Sequence, residues 1–339
     1  MARSRSHIVQ NGWRMHHDNI VDDQLTRWIS RDDVVEENVE LRTWRLADLG
    51  GEVHMFADDV QMGILPYSLK DGMRIELVPG DKQAYELVGQ ALGREHHYGH
   101  RYYRFEDSIP AFIRECAQTI MQFGVAQYEI VTERTREGGK PTAFRFQWVT
   151  PHTIRKRRGR WVQDIGTKAA EEMGSERFQR VDISRIIDFP VVPPLTERRL
   201  LAINRSLAGV GTQLMPTFGL NPADQSMGFD FAAFQHTRTR VSAAATAPVG
   251  WNGRGRLGEQ ITDYYYLHRE IRFQRFVVEL RSSILARVNR VLQGTLPRFG
   301  CQGSIRLAGF PGLPEIENIA RNLERGTDLR TAFKEITRI

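Results

Sequence analysis

IPAFIRECAQTIMQFGVAQYEIVTERTREGGKPTAFRFQWV, residues 109–149, is the stretch whose reading decides the fold. Its first half has a helical period: Ile109, Phe112, Ile113, Cys116, Ile120 and Met121 recur at three- and four-residue steps. Asp107 or Ser108 is placed to cap this helix, Pro110 is tolerated in its first turn, and Gly124 suits the position just past its end. Beyond Gly124 the period falls from about 3.6 residues to about 2. VAQYEIVTER (125–134) alternates, Glu137-Gly138-Gly139-Lys140 supplies a turn, and AFRFQWV (143–149) alternates again, which predicts a β-hairpin. Helix and hairpin side by side place the chain in the α+β class.

Working outward, a second, shorter hairpin is predicted around Arg158-Gly159, leading into Arg160-Trp161-Val162. Ile183–Val192 reads as a further strand, ended by Pro193-Pro194. Residues 196–220 are weakly helical, interrupted by Gly209, Gly211 and Pro216. Residues 221–258, rich in Ala, Gly, Thr and Pro, read as loops with one short helix. Thr262 to Gln293, ended by Gly294, is the clearest element. Its Phe273, Phe276, Val277, Leu280, Ile284, Val288 and Val291 fall within an arc of about 120°. Arg269, Arg272, Arg275, Arg287 and Arg290 flank that stripe, and about 30 residues make a rod of roughly 45 Å. A strand at Ser304–Leu307 and an amphipathic helix from Leu313, with Ile316, Ile319, Ala320 and Leu323, follow it.

Upstream, from Trp44 to Leu77, short segments alternate with Gly-Gly, Leu-Pro, Asp-Gly and Pro-Gly breaks. These read as turns with short strands or helices. Four regions result: an acidic 1–107, a helix-plus-hairpin 108–195, a loop-rich 196–260, and 261–339 with the long helix, strand and last helix. No internal repeat or low-complexity tract is evident.

Charge divides along the same line. Residues 1–107 carry 13 basic and 19 acidic side chains, residues 108–339 carry 34 and 22, and the whole chain is +6. Of the 47 basic residues 41 are Arg, which fits either bidentate phosphate or interface recognition, or simply a GC-rich genome. No run of 18 apolar residues exists, so no membrane span is expected, and the basic start MARSRSHIVQNGW lacks the apolar core of a signal peptide. Cys116 and Cys301, far apart in apolar segments, are expected as small buried hydrophobes in a reducing compartment.

Enzyme signatures are absent from the sequence. It has no GxxxxGK[ST] phosphate loop, no GxGxxG after a strand and no GxSxG elbow. In Glu95-His96-His97-Tyr98-Gly99-His100, His96 and His100 lie four apart, as two helical metal ligands would, but Gly99 weakens a helix there. The paired acids between Asp18 and Asp59, including Asp32-Asp33 and Glu36-Glu37, read as a solvated acidic face rather than a divalent-cation site. No metal and no cofactor are expected. Basic clusters stand out instead. Arg155, Lys156, Arg157, Arg158 and Arg160 gather five cations at one hairpin tip, fit to neutralise phosphates, to dock on an acidic protein surface, or to remain a solvated turn. Arg238, Arg240, Arg254 and Arg256, in the loop-rich region, are placed to touch DNA without reading its sequence.

The order of these elements resembles the portal proteins of tailed bacteriophages. Residues 109–162 are similar to the portal wing: a helix, a Gly-containing turn, a strand, a Gly-x-Pro entry (Gly139-Lys140-Pro141), a second strand, a Thr-Pro step (Thr150-Pro151) and a short hairpin. Asp182–Phe189 fits the strand that follows. Residues 261–292 and 304–333 resemble the long helix, strand and helix that close the portal core, with a Gly before a Thr/Asp-capped turn at Gly326-Thr327-Asp328. The likeness covers roughly half the chain and consists of patterns rather than invariant residues. The acidic first hundred residues match nothing in the family, and the chain lies at its short, crown-less end.

The resemblance implies a non-enzymatic homo-oligomeric ring, commonly of twelve subunits, assembled in the host cytoplasm and set at a capsid vertex of the virion. Double-stranded DNA passes through its channel in packaging and ejection. Terminase, the major capsid protein and a head-completion adaptor are the implied partners. Residues 196–260 are the candidate stem and clip. Arg238, Arg240, Arg254 and Arg256 are the DNA-facing candidates. Arg269, Arg272 and Arg275 would meet Asp32, Asp33, Glu36 and Glu37 of a neighbouring subunit. Another capsid or connector protein, and a metal-dependent nuclease or replication protein, are the alternative readings.

Overall fold

A computed structural model describes residues 14–15, 28–29, 51–66, 69, 72–95, 101–102, 104–134, 141–167, 170–171, 176–214, 231–253, 262–326 and 328–336. The chain is a mixed α+β structure. Helix α1 (Gly51–Ile64), strand β1 (Arg74–Val78) and helix α2 (Lys82–Leu92) lead into α3 (Phe105–Phe123). The hairpin β2 (Val125–Arg134) and β3 (Pro141–Val149) follows, then β4 (Ile154–Arg157), β5 (Arg160–Asp164), β6 (Phe178–Arg180) and β7 (Ile186–Pro190). Helices α4 (Glu197–Leu214), α5 (Phe231–Ala245) and α6 (Asp263–Thr295), strand β8 (Ser304–Ala308), and helices α7 (Leu313–Glu324) and α8 (Leu329–Ile336) complete it.

The change of period at Gly124 produces the transition that the sequence predicts. Gly124 is left-handed at φ 80° and donates its N–H to Ile120 O, turning the chain straight into β2. β2 is the centre of an antiparallel sheet ordered β7–β2–β3. Alternate residues of that sheet face α3: Phe112 packs against Tyr128, Phe146 and Phe189, with ring centroids 4.9, 5.4 and 6.0 Å apart. A second pairing is long-range. β1 and β8 are antiparallel, Val78 opposite Ser304, so a strand that precedes α2 and α3 closes a ladder with one that follows α6.

α6 has two buried faces where the sequence indicates one. Phe273, Phe276, Val277, Leu280, Ile284, Val288 and Leu292 enter the main core with α1, α3 and α4. Leu267, Ile271 and Val278 form a separate cluster with Ile316, Ile319, Leu323, Ala332 and Ile336 of α7 and α8. At about 1.5–3 kcal/mol for each large apolar side chain buried, α6 anchors both halves of the structure.

Several boundaries differ from the sequence reading. α3 begins at Phe105, after Arg104 and without a side-chain cap, rather than at a cap on Asp107 or Ser108. The helix extends upstream because Phe105 is buried edge-on against Tyr85 at 4.6 Å. Gly294 does not end α6. The buried row runs on from Leu292 to Leu296, and the left-handed stop falls at Gly300, φ 75°. The strand expected at Ile183–Val192 opens as a 3₁₀ turn, Ile183–Arg185. The weak, glycine-interrupted helix expected in 196–220 is α4, of 18 residues, and the one short helix expected in 221–258 is α5, of 15 residues; residues 215–230 and 254–261 lie outside the described residues. α4 sits in the main core through Leu200, Ile203, Leu207 and Ala208, and Asn204 Nδ2 donates to Met121 O at 2.9 Å. Burial up to Ala208 supports α4, which runs on over Gly209 and Gly211 despite their low intrinsic helix propensity.

Gly250 shows how closely the turn after α5 approaches α6. It lies at φ 77°, and a Cβ there would sit 2.2 Å from Arg269 O, a backbone atom that cannot swing away. Gly250→Ala is expected to destabilise the chain by about 2–4 kcal/mol in chemical denaturation. Gly300→Ala, at the same φ with open space around it, should cost only about 1–2 kcal/mol.

Candidate functional site

The five-cation hairpin is formed by β4 and β5, joined through Arg158-Gly159. Both turn residues have positive φ, 49° and 79°, the geometry of a two-residue type I′ turn. Asn-Gly suits such a turn best, yet this chain places a long cation at the first position. β6 adds a third strand antiparallel to β5, in the order β6–β5–β4.

Register decides which side chains share a face. Arg155 lies opposite Val162 and Arg157 opposite Arg160, while Phe178 pairs with Asp164 and Arg180 with Val162. Because the side-chain period is about 2, Arg155, Arg157, Arg160 and Arg180 occupy one face with Val162, Asp164 and Phe178. Lys156 and the exposed Trp161 are cross-strand partners on the other face.

The Arg face is held from beneath by one carboxylate. Asp164 is only 2 % exposed and takes Arg155 and Arg177 together. Arg177 Nε donates to Oδ1 at 2.7 Å and Nη2 to Oδ2 at 3.2 Å, a bidentate fork. The Gly166 amide adds a third kind of donor at 3.2 Å. Arg157 stacks on the Phe178 ring at 3.7 Å from its centroid, with Arg155 and Arg177 at 5.1 and 5.5 Å. Arg155, Lys156, Arg157, Arg158 and Arg160 all remain exposed. Among the described residues no carboxylate pairs with Lys156, Arg157, Arg158 or Arg160.

The other sequence candidates are dispersed. Arg238 does not face outward. Its Nε donates to the buried Glu52 carboxylate, which also accepts from Ser242 Oγ at 3.4 Å. Arg240 is exposed on α5, and Arg254 and Arg256 lie outside the described residues. Arg269 is fully buried rather than available to a neighbouring subunit. It donates to Asn252 Oδ1 at 3.1 Å, Ala243 O at 3.0 Å, Thr246 Oγ1 at 3.2 Å and Trp251 O. Arg272 donates to Ala247 O at 3.2 Å, and Arg275 pairs with Glu279 at 3.1 Å and Glu317 at 3.8 Å. All three interface candidates therefore have partners within their own chain. Asp32, Asp33, Glu36, Glu37 and His96–His100 lie outside the described residues. Cys116 and Cys301 are buried free thiols, and burial pushes the Cys301 thiol up.

An open groove of about 470 Å³ lies between the β2–β7 ladder and the end of α6, lined in part by Thr132, Asp182, Ser184, Arg185, Arg290 and Arg298. The Ser184 hydroxyl and amide, donating at 2.7 and 3.0 Å, hold the Asp182 carboxyl below its usual range, with Arg185 3.4 Å away. Arg177, Phe178 and Arg180 complete the Arg face and escaped the sequence reading. Alternation of Phe178 and Arg180 was the one available signal, and three residues are too few to predict a strand. Compared with known proteins, the chain matches no family model and no curated sequence.

Arg269 yields a direct test of its structural role. Arg269→Ala removes the donor to two carbonyls and two side chains in a dry site, and a loss of about 3 kcal/mol or more is expected in denaturant titration. Loss of oligomers with unchanged protomer stability would instead mark an interface role.

Proposed function

We propose that this chain is the subunit of a portal-like ring, a structural connector through which double-stranded DNA moves, rather than an enzyme. The reading rests on the order of its elements. A helix runs through a glycine into a hairpin, a small basic hairpin and a further strand follow, and a long helix, strand and helix close the chain. α6, at 33 residues and about 50 Å, is the long helix that this order calls for. Two described features add support. α6 is apolar on two faces, so it can brace two layers of one subunit. The exposed Arg-rich sheet gives a polyanion weak, sequence-independent contacts. A capsid vertex in the virion is the corresponding location, with terminase, major capsid protein and head-completion adaptor as partners.

Negative-stain microscopy of the purified full chain, with its mass measured by light scattering, tests this reading. Closed rings with a central channel are expected. A species that stays monomeric at every concentration would overturn it, and a monomer that cleaves DNA when given Mg²⁺ would favour the nuclease alternative.

A further inference from the structure

The Arg-paved face of β4–β5–β6 is a built surface on which, among the described residues, Arg157 and Arg160, with Arg158 at the tip, have no carboxylate partner. We propose that it is a docking site for the phosphodiester backbone of duplex DNA, carried by each protomer alone and independent of any ring or channel.

Three observations favour a nucleic-acid backbone over an acidic protein. First, the face is mostly polar: Arg155, Arg157, Arg160 and Arg180 surround Val162 and the half-buried Phe178 as its apolar members, and its one carboxylate, Asp164, is buried beneath them. Protein–protein interfaces are depleted of charge at their centres, whereas nucleic-acid interfaces are polar and strongly positive. Second, the cations are held in place. Asp164, 2 % exposed, fixes Arg155 and Arg177 from below, and Phe178 carries Arg157 flat at 3.7 Å, which leaves the guanidinium N–H edge free to point outward. Third, the tip keeps Arg158 at φ 49°, a backbone conformation that costs a non-glycine residue about 1–2 kcal/mol. Glu171 and Glu176 are exposed on the chain leading into β6 but lie outside the strand positions of this face.

The geometry also points to duplex rather than single strand. Single-strand sites stack bases on free aromatic faces. On this face Phe178 is covered by Arg157, and Trp161 lies on the opposite side of the sheet. What remains is a set of guanidinium forks spaced along and across strands, suited to phosphates and blind to sequence.

Fluorescence anisotropy of the full chain with two duplexes of unrelated sequence, over a range of salt concentrations, tests the proposal. Equal affinity for both duplexes and a linear fall of log affinity with log salt are expected. Combining Arg157→Gln, Arg158→Gln and Arg160→Gln should weaken binding about tenfold or more and reduce the salt slope by about 2 to 3. A control with the same charge loss, Arg290→Gln, Arg298→Gln and Arg306→Gln, should change the slope by less than about 1. Circular dichroism and thermal melting establish that both variants fold. Should the hairpin variant misfold, Arg158→Asn alone, which suits the type I′ turn, should still lower the slope by about 1. Unchanged DNA binding in folded hairpin variants, or an equal loss in the control, would overturn the proposal. Tighter binding to single strands would also overturn it, as would binding of polyglutamate as tight as that of DNA and lost in the same variants. The assay reads protomer binding and microscopy reads assembly, so failure of either leaves the other result standing.

Discussion

Two guanidinium groups buried on one helix constrain much of this structure. Arg269 and Arg281, both on α6, are 0 % and 7 % exposed, and no carboxylate among the described residues pairs with either. Each is satisfied by backbone oxygens: Arg269 by Ala243 and Trp251, Arg281 by Ile64 and Pro311. Burial lowers Arg281 to about 10, still cationic at neutral pH, and Phe310 lies 5.5 Å from its guanidinium. Removing such a charge from water costs several kcal/mol unless donors find acceptors in good geometry. The ends of α1 and α5, and the segment before α7, must therefore come to α6 in one arrangement. Gly250 enforces the same closeness sterically.

The uneven charge takes on a different meaning once the fold is known. An acidic first third and a basic remainder suggest subunits meeting through opposite charge. In the described residues, part of that attraction is spent inside the protomer. Glu52 takes Arg238, and Asp59 Oδ2 accepts from Trp251 Nε1 at 2.8 Å, so the acidic α1 is fastened to the basic half of its own chain. Arg275 likewise meets Glu279 and Glu317. Among the described residues, Lys156, Arg157, Arg158 and Arg160 of the β4–β5 hairpin gather four exposed cations without acidic partners within five residues.

Legibility in the sequence followed the range of the interactions. The α3–β2–β3 unit was readable because its signals are local: a helical period, a glycine able to take positive φ, and strict alternation on either side of a turn. The Arg158-Gly159 hairpin was readable for the same reason. The first face of α6 was visible as one apolar arc. Its second face, through Leu267, Ile271 and Val278, was not, because those residues become a face only when α7 and α8 fold back on them. α4 was read only as a weak helix for a related reason, since Gly209 and Gly211 argue against helix until burial of Leu200, Ile203 and Leu207 outweighs propensity.

The candidate site divides the same way. Residue types and strand spacing alone placed Arg155, Lys156, Arg157, Arg158 and Arg160 together, because a two-residue turn brings its flanking residues into contact whatever the rest of the chain does. Local sequence also determined the α+β class and the long amphipathic rod. Only the tertiary structure decided that Arg177, Phe178 and Arg180 join that hairpin, that Asp164 anchors it, and that Arg238 and Arg269 serve the interior. Cations are alike in sequence. What separates an outward-facing Arg from a buried one is which distant carbonyl or carboxylate the fold brings within hydrogen-bonding distance, and that choice is made by long-range packing.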